Sequence, residues 1–235
     1  MPTYNLLSVN ADAKTSKGTS FGFLTGILYM SPANQSGYEV CFWRSQGCTM
    51  ACLDSAGRGA FKNVREARIR KTKMFHEQRQ EFMNTLRSDI LKLVKEANSK
   101  NMTPCVRLNG TSDLPWEVYA LELMQEFPQV KFYDYTKGLT RMLRFCQGKM
   151  PENYHLTFSK SEENWKQCLQ VLKAGGNVAA VFSGIMPDKY EEYEVINGDE
   201  SDLRFLDKPR TIIGLKAKGK AKKDTTGFVL RVINA

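Results

Sequence analysis

Short apolar runs alternate with amphipathic stretches along most of the chain, a pattern that predicts strands separated by helices. The runs of strand length are FGFLTGILYM (21–30), CVRLNG (105–110), VKFYDY (130–135), YHLTFS (154–159), NVAAVFS (177–183), TIIGLKA (211–217) and GFVLRVI (227–233). Alternating strands and helices are typical of βαβ units and of mainly parallel sheets. About six such strands are too few for a full eight-unit barrel. We therefore predict an α/β fold, either a partial (β/α)6-type barrel or an open, mainly parallel sheet.

Several helices are predicted between these strands. The strongest has an apolar stripe at helical spacing, formed by Phe75, Phe82, Leu86, Ile90, Leu93, Val94 and Ala97. A basic helical stretch precedes it from about Phe61, and further helices are predicted over residues 115–127, 139–146 and 161–173, the last with Ser161 as its N-cap. No linker, repeat or shift in composition divides the chain. We predict an N-terminal extension (1–20) followed by a single α/β domain (21–235).

The composition is that of an ordinary folded, basic protein. Of the 235 residues, 42% are hydrophobic and 25% charged, and 34 Lys+Arg against 25 Asp+Glu give a net charge of +9. No apolar run approaches the roughly 20 residues of a membrane span, and the N-terminus lacks the apolar block of a signal peptide. Six cysteines without an export signal indicate reduced thiols. These features exclude the fibrous, secreted, membrane and disordered classes, and they predict a cytoplasmic protein without a membrane partner.

The positive charge is concentrated in two clusters. Residues 58–79 contain eight basic side chains against two acidic ones, and residues 216–223 (KAKGKAKK) contain five lysines and no acid. Clusters of this kind attract polyanions or hold a single phosphate. A solvated helix face and a mobile loop would explain the same charges. Nucleic acid or a nucleotide is therefore one predicted partner, and the alternative stays open.

The most informative segment is a loop with three cysteines, Cys41, Cys48 and Cys52, directly after the first predicted strand. Three thiols within a dozen residues can converge on one iron–sulfur cluster or metal ion. If they are the only protein ligands, a [4Fe–4S] cluster keeps one iron open. Zinc would need a fourth ligand from a histidine, water or another thiol, and the other thiols are Cys105, Cys146 and Cys168. Three buried thiols without a metal are the remaining alternative.

Polar and cationic residues follow the predicted strands at the edge where parallel α/β folds bind ligands. The segment after the second strand is Asn109, Gly110, Thr111, Ser112 and Asp113, and the later strand ends bring Lys137, Lys160, Lys216 and Lys218. This edge suits an anionic ligand with many oxygens, although Ser112 or Asp113 would equally serve as helix caps. Arg58 lies in a flexible turn just after the cysteines. Asp113 and Glu117, one helical turn apart, form a candidate acid–base pair.

Several longer motifs together resemble an uncharacterised bacteriophage protein family, known as a domain of unknown function. The resemblance covers nearly the whole chain from about Gly22, including the cysteine loop. Its motifs are CLDSAGRG (52–59), RLNGTSD (107–113), FYDYTK (132–137), NYHLTFS (153–159), DLRFLD (202–207) and GLKAKG (214–219). The resemblance implies a phage origin and a protein that works in the cytoplasm of the bacterial host.

More distantly, the layout is similar to radical S-adenosylmethionine enzymes, in which a loop after the first strand of a partial (β/α)6 barrel carries three cysteines. The resemblance implies that Cys41, Cys48 and Cys52 hold a [4Fe–4S] cluster whose open iron binds S-adenosylmethionine. It also implies that residues 109–113 orient this cofactor. The cysteine spacing here is Cx6Cx3C, where that superfamily has CxxxCxxC.

Three functional hypotheses follow. The first is an iron–sulfur enzyme that modifies a nucleotide or nucleic acid by S-adenosylmethionine-dependent radical chemistry, with anion contacts from Arg58, Lys137, Lys160, Lys216 and Lys218. The second is a non-catalytic nucleic-acid-binding protein whose iron–sulfur cluster or zinc ion only staples the loop, so that binding weakens steeply with salt. The third is a phage factor that binds and inhibits a host protein.

Overall fold

A ten-stranded, mainly parallel sheet forms the centre of the fold in the computed structural model, which describes residues 4–9 and 13–232. Its strands lie in the order β1-β2-β3-β4-β5-β6-β9-β8-β7, with β10 beside β6. They are β1 (Leu7–Val9), β2 (Phe23–Leu28), β3 (Thr103–Arg107), β4 (Lys131–Thr136), β5 (Tyr154–Ser159), β6 (Val178–Ser183), β7 (Lys189–Tyr190), β8 (Tyr193–Asn197), β9 (Ile212–Lys216) and β10 (Val229–Arg231). The sheet is open, because β1 and β7 form separate edges. The predicted single-domain α/β fold is confirmed in its open form.

The helices connect these strands or pack beside them. They are α1 (Ala13–Gly18), α2 (Gln46–Met50), α3 (Lys62–Glu77), α4 (Arg79–Ser99), α5 (Trp116–Tyr119), α6 (Leu121–Glu126), α7 (Leu139–Cys146) and α8 (Trp165–Lys173). Short 3-10 turns span Leu53–Ser55, Gly57–Ala60, Arg204–Leu206 and Gly219–Lys223, among others. Among the described residues no helix has both the length and the apolar character needed to cross a bilayer.

The sheet is wound in one direction. Strands β2 to β6 lie side by side in chain order and pair in parallel. Because βαβ crossovers are right-handed, strands added on one side place their crossover helices on one face. Ile90 of α4, Met142 of α7 and Val171 of α8 accordingly share one core with Leu24 and Phe132 of the sheet. This arrangement leaves a second face without crossover helices, which we call the inner face.

The inner face is covered by a later part of the chain. Phe23, Cys105 and Tyr133 project from β2, β3 and β4 and pack against Leu203 and Phe205. The rings of Tyr133 and Phe205 meet edge to face with their centroids 5.6 Å apart. The segment around the Arg204–Leu206 turn therefore covers the inner face at β2, β3 and β4.

The end of the chain returns to the middle of the sheet. β5 pairs with β6 only as far as Ser159↔Ala179. β10 takes the following positions along β6, beginning with Val229↔Val181. The predicted strand over 227–233 is thus formed by Val229–Arg231, and its last residue, Ile233, lies outside the described residues.

Two predicted helices differ from the observed ones in their bounds. The helix predicted over 115–127 is split at Ala120, whose φ of −131° is not helical. The helix predicted from Ser161 begins only at Trp165. Ser161 is not its N-cap, because Asn164 occupies the position directly before Trp165; the Ser161 backbone N–H donates to Asn164 Oδ1 at 2.6 Å. Asn164 holds the loop before the helix, so the Ser-x-x-Asn pattern marks a turn rather than a cap.

Part of the predicted N-terminal extension belongs to the sheet. Within residues 1–20, Leu7–Val9 form β1 and pair antiparallel with β2. The backbone N–H groups of Asn5, Leu6 and Leu7 all donate to the buried Asp89 carboxylate on α4, at 2.7–3.1 Å. Residues 1–3 and 10–12 of the extension lie outside the described residues.

Candidate functional site

Cys41 lies beside the loop that follows β3. Its backbone forms a parallel bridge with Asp113, and the Asp113 N–H donates to Val40 O at 2.8 Å. The Cys41 sulfur accepts the Ala33 N–H at 3.3 Å and lies 3.8 Å from Thr111 O. The first cysteine is therefore joined directly to the polar segment 109–113.

Cys48 is positioned by the short helix α2. Ser45 caps this helix by accepting the Cys48 N–H at 3.1 Å. Glu162, which follows β5, accepts the Ser45 hydroxyl and the Gly47 N–H, both at 2.7 Å. A Cβ on Gly47 would lie only 2.6 Å from Glu162 Oε2 and 2.3 Å from Thr226 Oγ1. Only glycine allows this approach, so α2 is docked against the ends of other strands.

Lys137, the first residue after β4, lies among the three cysteines. Its ammonium interacts electrostatically with Cys48, Asp113 and Cys41. Cys52 interacts in turn with Cys48 and with Lys137. The structure thus brings all three predicted cysteines to one site at the carboxyl ends of the strands. We call Cys41, Cys48, Cys52 and Lys137 the thiol–lysine cluster.

Burial controls the protonation of the thiol–lysine cluster. Burial raises the pKa of the Cys41 thiol to about 12, and the nearby Asp113 carboxylate adds to the effect. Burial also raises the pKa of Cys52. For Lys137, burial lowers the pKa, but the neighbouring Cys48 and Asp113 outweigh it and leave the pKa above its ordinary value. Cys41 and Cys52 are therefore protonated at neutral pH, and a metal that binds them must displace their protons.

One guanidinium lies between the two predicted acid–base residues. Arg141 donates to both oxygens of Glu117 at 2.8 and 2.7 Å and to Asp113 Oδ1 at 2.9 Å. Asp113 Oδ2 also accepts the Lys137 backbone N–H at 2.8 Å. The Arg141 guanidinium itself stands over the Trp43 ring of the cysteine loop, 5.5 Å from its centroid. Asp113 and Glu117 are ion-paired through Arg141, which ties the cysteine loop to α5 and α7.

The residues predicted to orient a cofactor are largely engaged within the protein. The Asn109 side chain is buried, and its Oδ1 accepts from Ser112 Oγ, Leu114 N and Trp116 Nε1 at 2.8–3.0 Å. Its backbone N–H donates to Asp134 Oδ1 at 2.6 Å. A Cβ on Gly110 would lie 2.7 Å from Leu28 O, and Thr111 Oγ1 donates to Met30 O at 2.5 Å. These contacts shape the 109–113 loop, and a role in cofactor binding remains a prediction.

The predicted anion-binding residues separate into different roles. Lys160 is buried and donates to Gly227 O at 2.5 Å and Phe228 O at 3.3 Å, so it holds the segment before β10. Lys218 Nζ donates to Asp199 Oδ1 at 2.7 Å, and the Lys216 backbone N–H donates to the other oxygen of Asp199. Arg58 and the Lys216 side chain are exposed. Of the predicted anion-binding residues, those with exposed side chains, such as Arg58 and Lys216, are therefore placed to bind an external anion, whereas Lys160 is not.

The two basic clusters adjoin the cysteine loop. The Leu53–Ser55 turn packs against the Gly219–Lys223 turn on one side and the Gly57–Ala60 turn on the other. Ala51, Ala221 and Val229 form a small buried core between these segments. The two clusters are far apart in the sequence, but the fold places the second cluster and the beginning of the first in contact with the same Leu53–Ser55 turn, which directly follows Cys52.

Some basic residues of the first cluster are structural. Arg68 is buried and donates to Asp54 Oδ1 at 2.6 Å, with its guanidinium 5.0 Å from the Tyr29 ring centroid. Lys71 Nζ donates to Leu6 O at 2.6 Å. These two side chains attach α3 to the Leu53–Ser55 turn and to residues next to β1 and β2, and only the outward-facing cations of the cluster remain for an external partner.

The remaining cysteines lie away from the thiol–lysine cluster or in the core. Cys168 is buried in the main core on α8, and Cys146 packs against the same core. Cys105 lies on the inner face beside Tyr133 and Leu203. Across the part of the chain that the structure describes, no three His, Cys, Asp or Glu side chains are arranged to share one metal ion.

Two features of the site were not predicted from the sequence. Glu162 and Arg141, which fix the cysteine loop, belong to ordinary helical and loop segments, and their partners are distant in sequence. A polar network on the inner face was also missed, in which Asp202 accepts from Arg107 at 3.0 Å and from Tyr133 and Tyr135 at 3.3 and 3.4 Å. The DLRFLD motif contains Asp202 but carries no signal for these partners.

Fold and site together define a class: an open, singly wound α/β protein with a thiol-rich, cationic site at the carboxyl edge of its parallel strands. The model of the family described as "Gene product 88" matches residues 4–232, and the chain belongs to this family. This match supports the predicted resemblance to a phage-type family, and it gives no support to the likeness to radical S-adenosylmethionine enzymes. No curated protein and no solved structure matches the chain.

Proposed function

We propose that Cys41, Cys48 and Cys52 bind a [4Fe–4S] cluster with one open iron, and that the protein uses it on an anionic nucleotide or nucleic-acid substrate. The observation that carries the proposal is the convergence of the three thiols on Lys137, at the carboxyl ends of parallel strands. Ligands of parallel α/β folds bind at this edge.

The donor chemistry of the site fits the cluster. Thiolates are the ligands that iron–sulfur clusters select, and each thiolate of a cubane binds its own iron. Three cysteines on one loop therefore suit a cluster better than a single ion. A cluster held by Cys41, Cys48 and Cys52 would supply the one-electron chemistry for reductive cleavage of S-adenosylmethionine, as the distant resemblance implies.

The protein's own residues have distinct tasks in this proposal. Lys137 supplies a positive charge beside Cys48, which stabilises thiolate sulfur. Glu162 fixes α2 and with it Cys48, while Arg141 fixes the Asp113 loop beside Cys41. Free thiols and an oxygen-sensitive cluster both suit a reducing compartment such as the bacterial cytoplasm.

The test is anaerobic purification of the full chain, followed by iron, sulfide and zinc analysis and a visible absorption spectrum. We expect about four irons and four sulfides per chain, lost in Cys48→Ala and retained in Cys146→Ala, whose thiol packs on the core away from the site. Stoichiometric zinc would make the loop a structural staple, and fresh anaerobic protein without metal would overturn the proposal.

A non-catalytic role in nucleic-acid binding is the second candidate function. The observation that favours it is that both basic clusters contact the Leu53–Ser55 turn of the cysteine loop. If this role is correct, S-adenosylmethionine is not cleaved by the reconstituted protein under reducing conditions, whereas nucleic-acid binding persists and weakens steeply with salt.

A further inference from the structure

Exposed apolar side chains are concentrated in the segment that carries the three cysteines. Of the eleven large apolar side chains exposed in the described part of the chain, five lie within residues 42–61. They are Phe42 (53% exposed), Trp43 (38%), Met50 (55%), Leu53 (57%) and Phe61 (60%). Monomeric proteins rarely concentrate exposed apolar side chains in this way without a binding role. We call these five side chains the loop surface.

Two aromatic side chains of the loop surface, Phe42 and Trp43, are packed against neighbouring residues. One face of the Trp43 indole lies against Gly138, where a Cβ would be only 3.0 Å from the ring, and Arg141 lies on the same ring. Phe42 meets Trp43 edge to face at a centroid distance of 6.2 Å. Arg44 binds Glu39 at 3.0 Å and Thr49 at 3.1 Å, which fastens this part of the loop to α2. The aromatic side chains are therefore presented in a defined orientation.

Cations border the loop surface, and nearby acids are neutralised. Lys220, Lys222 and Lys223 are exposed on the turn that packs beside Leu53, and Arg58 and Lys62 flank Phe61. Asp54, the sole acid within 42–61, is buried and paired with Arg68. Asp224 is also buried, and its carboxylate accepts the Val229 and Thr226 N–H groups. The surroundings of the loop surface are thus strongly positive.

We propose that the loop surface and its bordering lysines bind single-stranded nucleic acid. Exposed aromatic rings stack on unpaired bases, and lysines beside them neutralise the phosphates, which is the combination that single strands require. A base pair in a duplex hides its faces, so the rings favour a single strand. The inference deepens the proposed function, on which it rests for the role of the strand as substrate; binding itself needs only the residues of this surface.

Fluorescence anisotropy with a labelled 20-nucleotide single strand tests the proposal on the full chain. We expect the single strand to bind more tightly than the duplex of the same sequence. Phe42→Ala with Phe61→Ala should weaken binding about tenfold or more, whereas Val118→Ala with Ile185→Ala, at exposed positions elsewhere (66% and 73%), should not.

The lysines are tested separately by salt dependence. Replacing Lys220, Lys222 and Lys223 by alanine should reduce the slope of log K against log salt by about 0.7 for each phosphate that is no longer neutralised. Matched substitutions of the exposed Lys95, Lys166 and Lys173 should leave the slope unchanged. Equal effects of both lysine sets would indicate only diffuse charge attraction and overturn the proposal.

Two further readouts keep this inference distinct from the proposed function. Binding to anionic phosphatidylserine vesicles without binding to the strand would assign the surface to membranes and overturn the inference. Iron and sulfide are measured in every preparation. If protein with an intact cluster does not bind the single-stranded nucleic acid, only this inference is contradicted. If metal-free protein binds it, this inference is supported even if the cluster proposal fails.

Discussion

At the scale of single residues, the region behind the site is shaped by buried charges that are hydrogen-bonded to neighbouring elements. Asp134 is fully buried on β4 and accepts hydrogen bonds from the Asn109 N–H at 2.6 Å and from Tyr154 Oη at 2.9 Å. Tyr154 Oη in turn accepts from Arg141 at 3.1 Å. The network links the 109–113 loop to the guanidinium beneath Trp43. Its energy must therefore depend on the protonation of Asp134.

Asp134 gives a pH dependence with a defined sign. Burial raises its pKa to about 7, against the opposing hydrogen bond from Asn109. Between about pH 4 and 7 the folded state therefore holds a proton that the unfolded state has released, so this group's contribution to stability falls as the pH rises through that window and is constant above it. The Asp134→Asn variant lacks this titrating group. We therefore expect its unfolding free energy, relative to that of the unchanged protein, to rise from about pH 4 to about pH 7, as measured by urea unfolding at each pH.

His155 provides the control for this experiment. Burial lowers its pKa to about 4, so the unfolded state binds the extra proton between about pH 4 and 6.5 and the contribution of His155 to stability rises with pH. The two groups oppose each other in the unchanged protein. His155→Gln should therefore steepen the loss of stability that Asp134 causes, and a pH-independent difference between Asp134→Asn and the unchanged protein would contradict the assignment.

At the scale of elements, periodicity predicted those strands and helices whose burial is regular. The stripe from Phe75 to Ala97 is buried as predicted, although it spans two helices that are separated at Gln78, where φ is −135°. No turn residue marks this position in the sequence, and Arg79 makes the junction by stacking on Phe75, 3.6 Å from the ring centroid. β1, β7 and β8 were missed, because β1 and β7 are only three and two residues long and β8 has no buried residue to give a regular pattern.

The candidate site was predictable in its residue types but not in its supports. The three cysteines could be predicted because their residue type and close spacing are visible within one segment of the sequence. Lys137 could be predicted because it follows a predicted strand directly. The docking of α2 on Glu162 depends on a contact across 115 residues, and no pattern in one sequence encodes such a partner. Gly47 shows the same limit, since its need for glycine comes from Thr226 rather than from its own backbone.

Gly47 gives the prediction for this element. Gly47→Ala places a methyl group 2.3 Å from Thr226 Oγ1 and 2.8 Å from Phe228 Cβ, so α2 must move away from β10. We expect a loss of about 1–3 kcal/mol in unfolding free energy and faster proteolysis within residues 42–61. Gly18→Ala is the matched control, because the nearest atom to its Cβ would be 3.8 Å away. Equal stability of the two variants would show that α2 is not docked as described.

At the scale of the whole molecule, the open sheet is completed by the end of its own chain. Sequential winding leaves β5 and β6 parted beyond Ser159, and β10 fills that gap. The same segment carries Thr226 and Phe228 against α2, and the Lys137 ammonium lies 5.6 Å from the Phe228 ring centroid. β10 and the cysteine loop are therefore packed together as one unit, although about 180 residues separate them in the sequence.

Lys160 joins this unit to the sheet, because its buried ammonium donates to Gly227 O and Phe228 O. Lys160→Met keeps the aliphatic stem but leaves both carbonyls without this donor. We expect a loss of about 1–3 kcal/mol in unfolding free energy, faster hydrogen exchange of the Val229–Arg231 amides, and a lower iron content after anaerobic purification. Lys166→Met, exposed on α8, should change none of these. If hydrogen exchange of the β10 amides is unaffected, Lys160 does not hold β10 in place. The coupling between β10 and the thiols must then run through α2 alone.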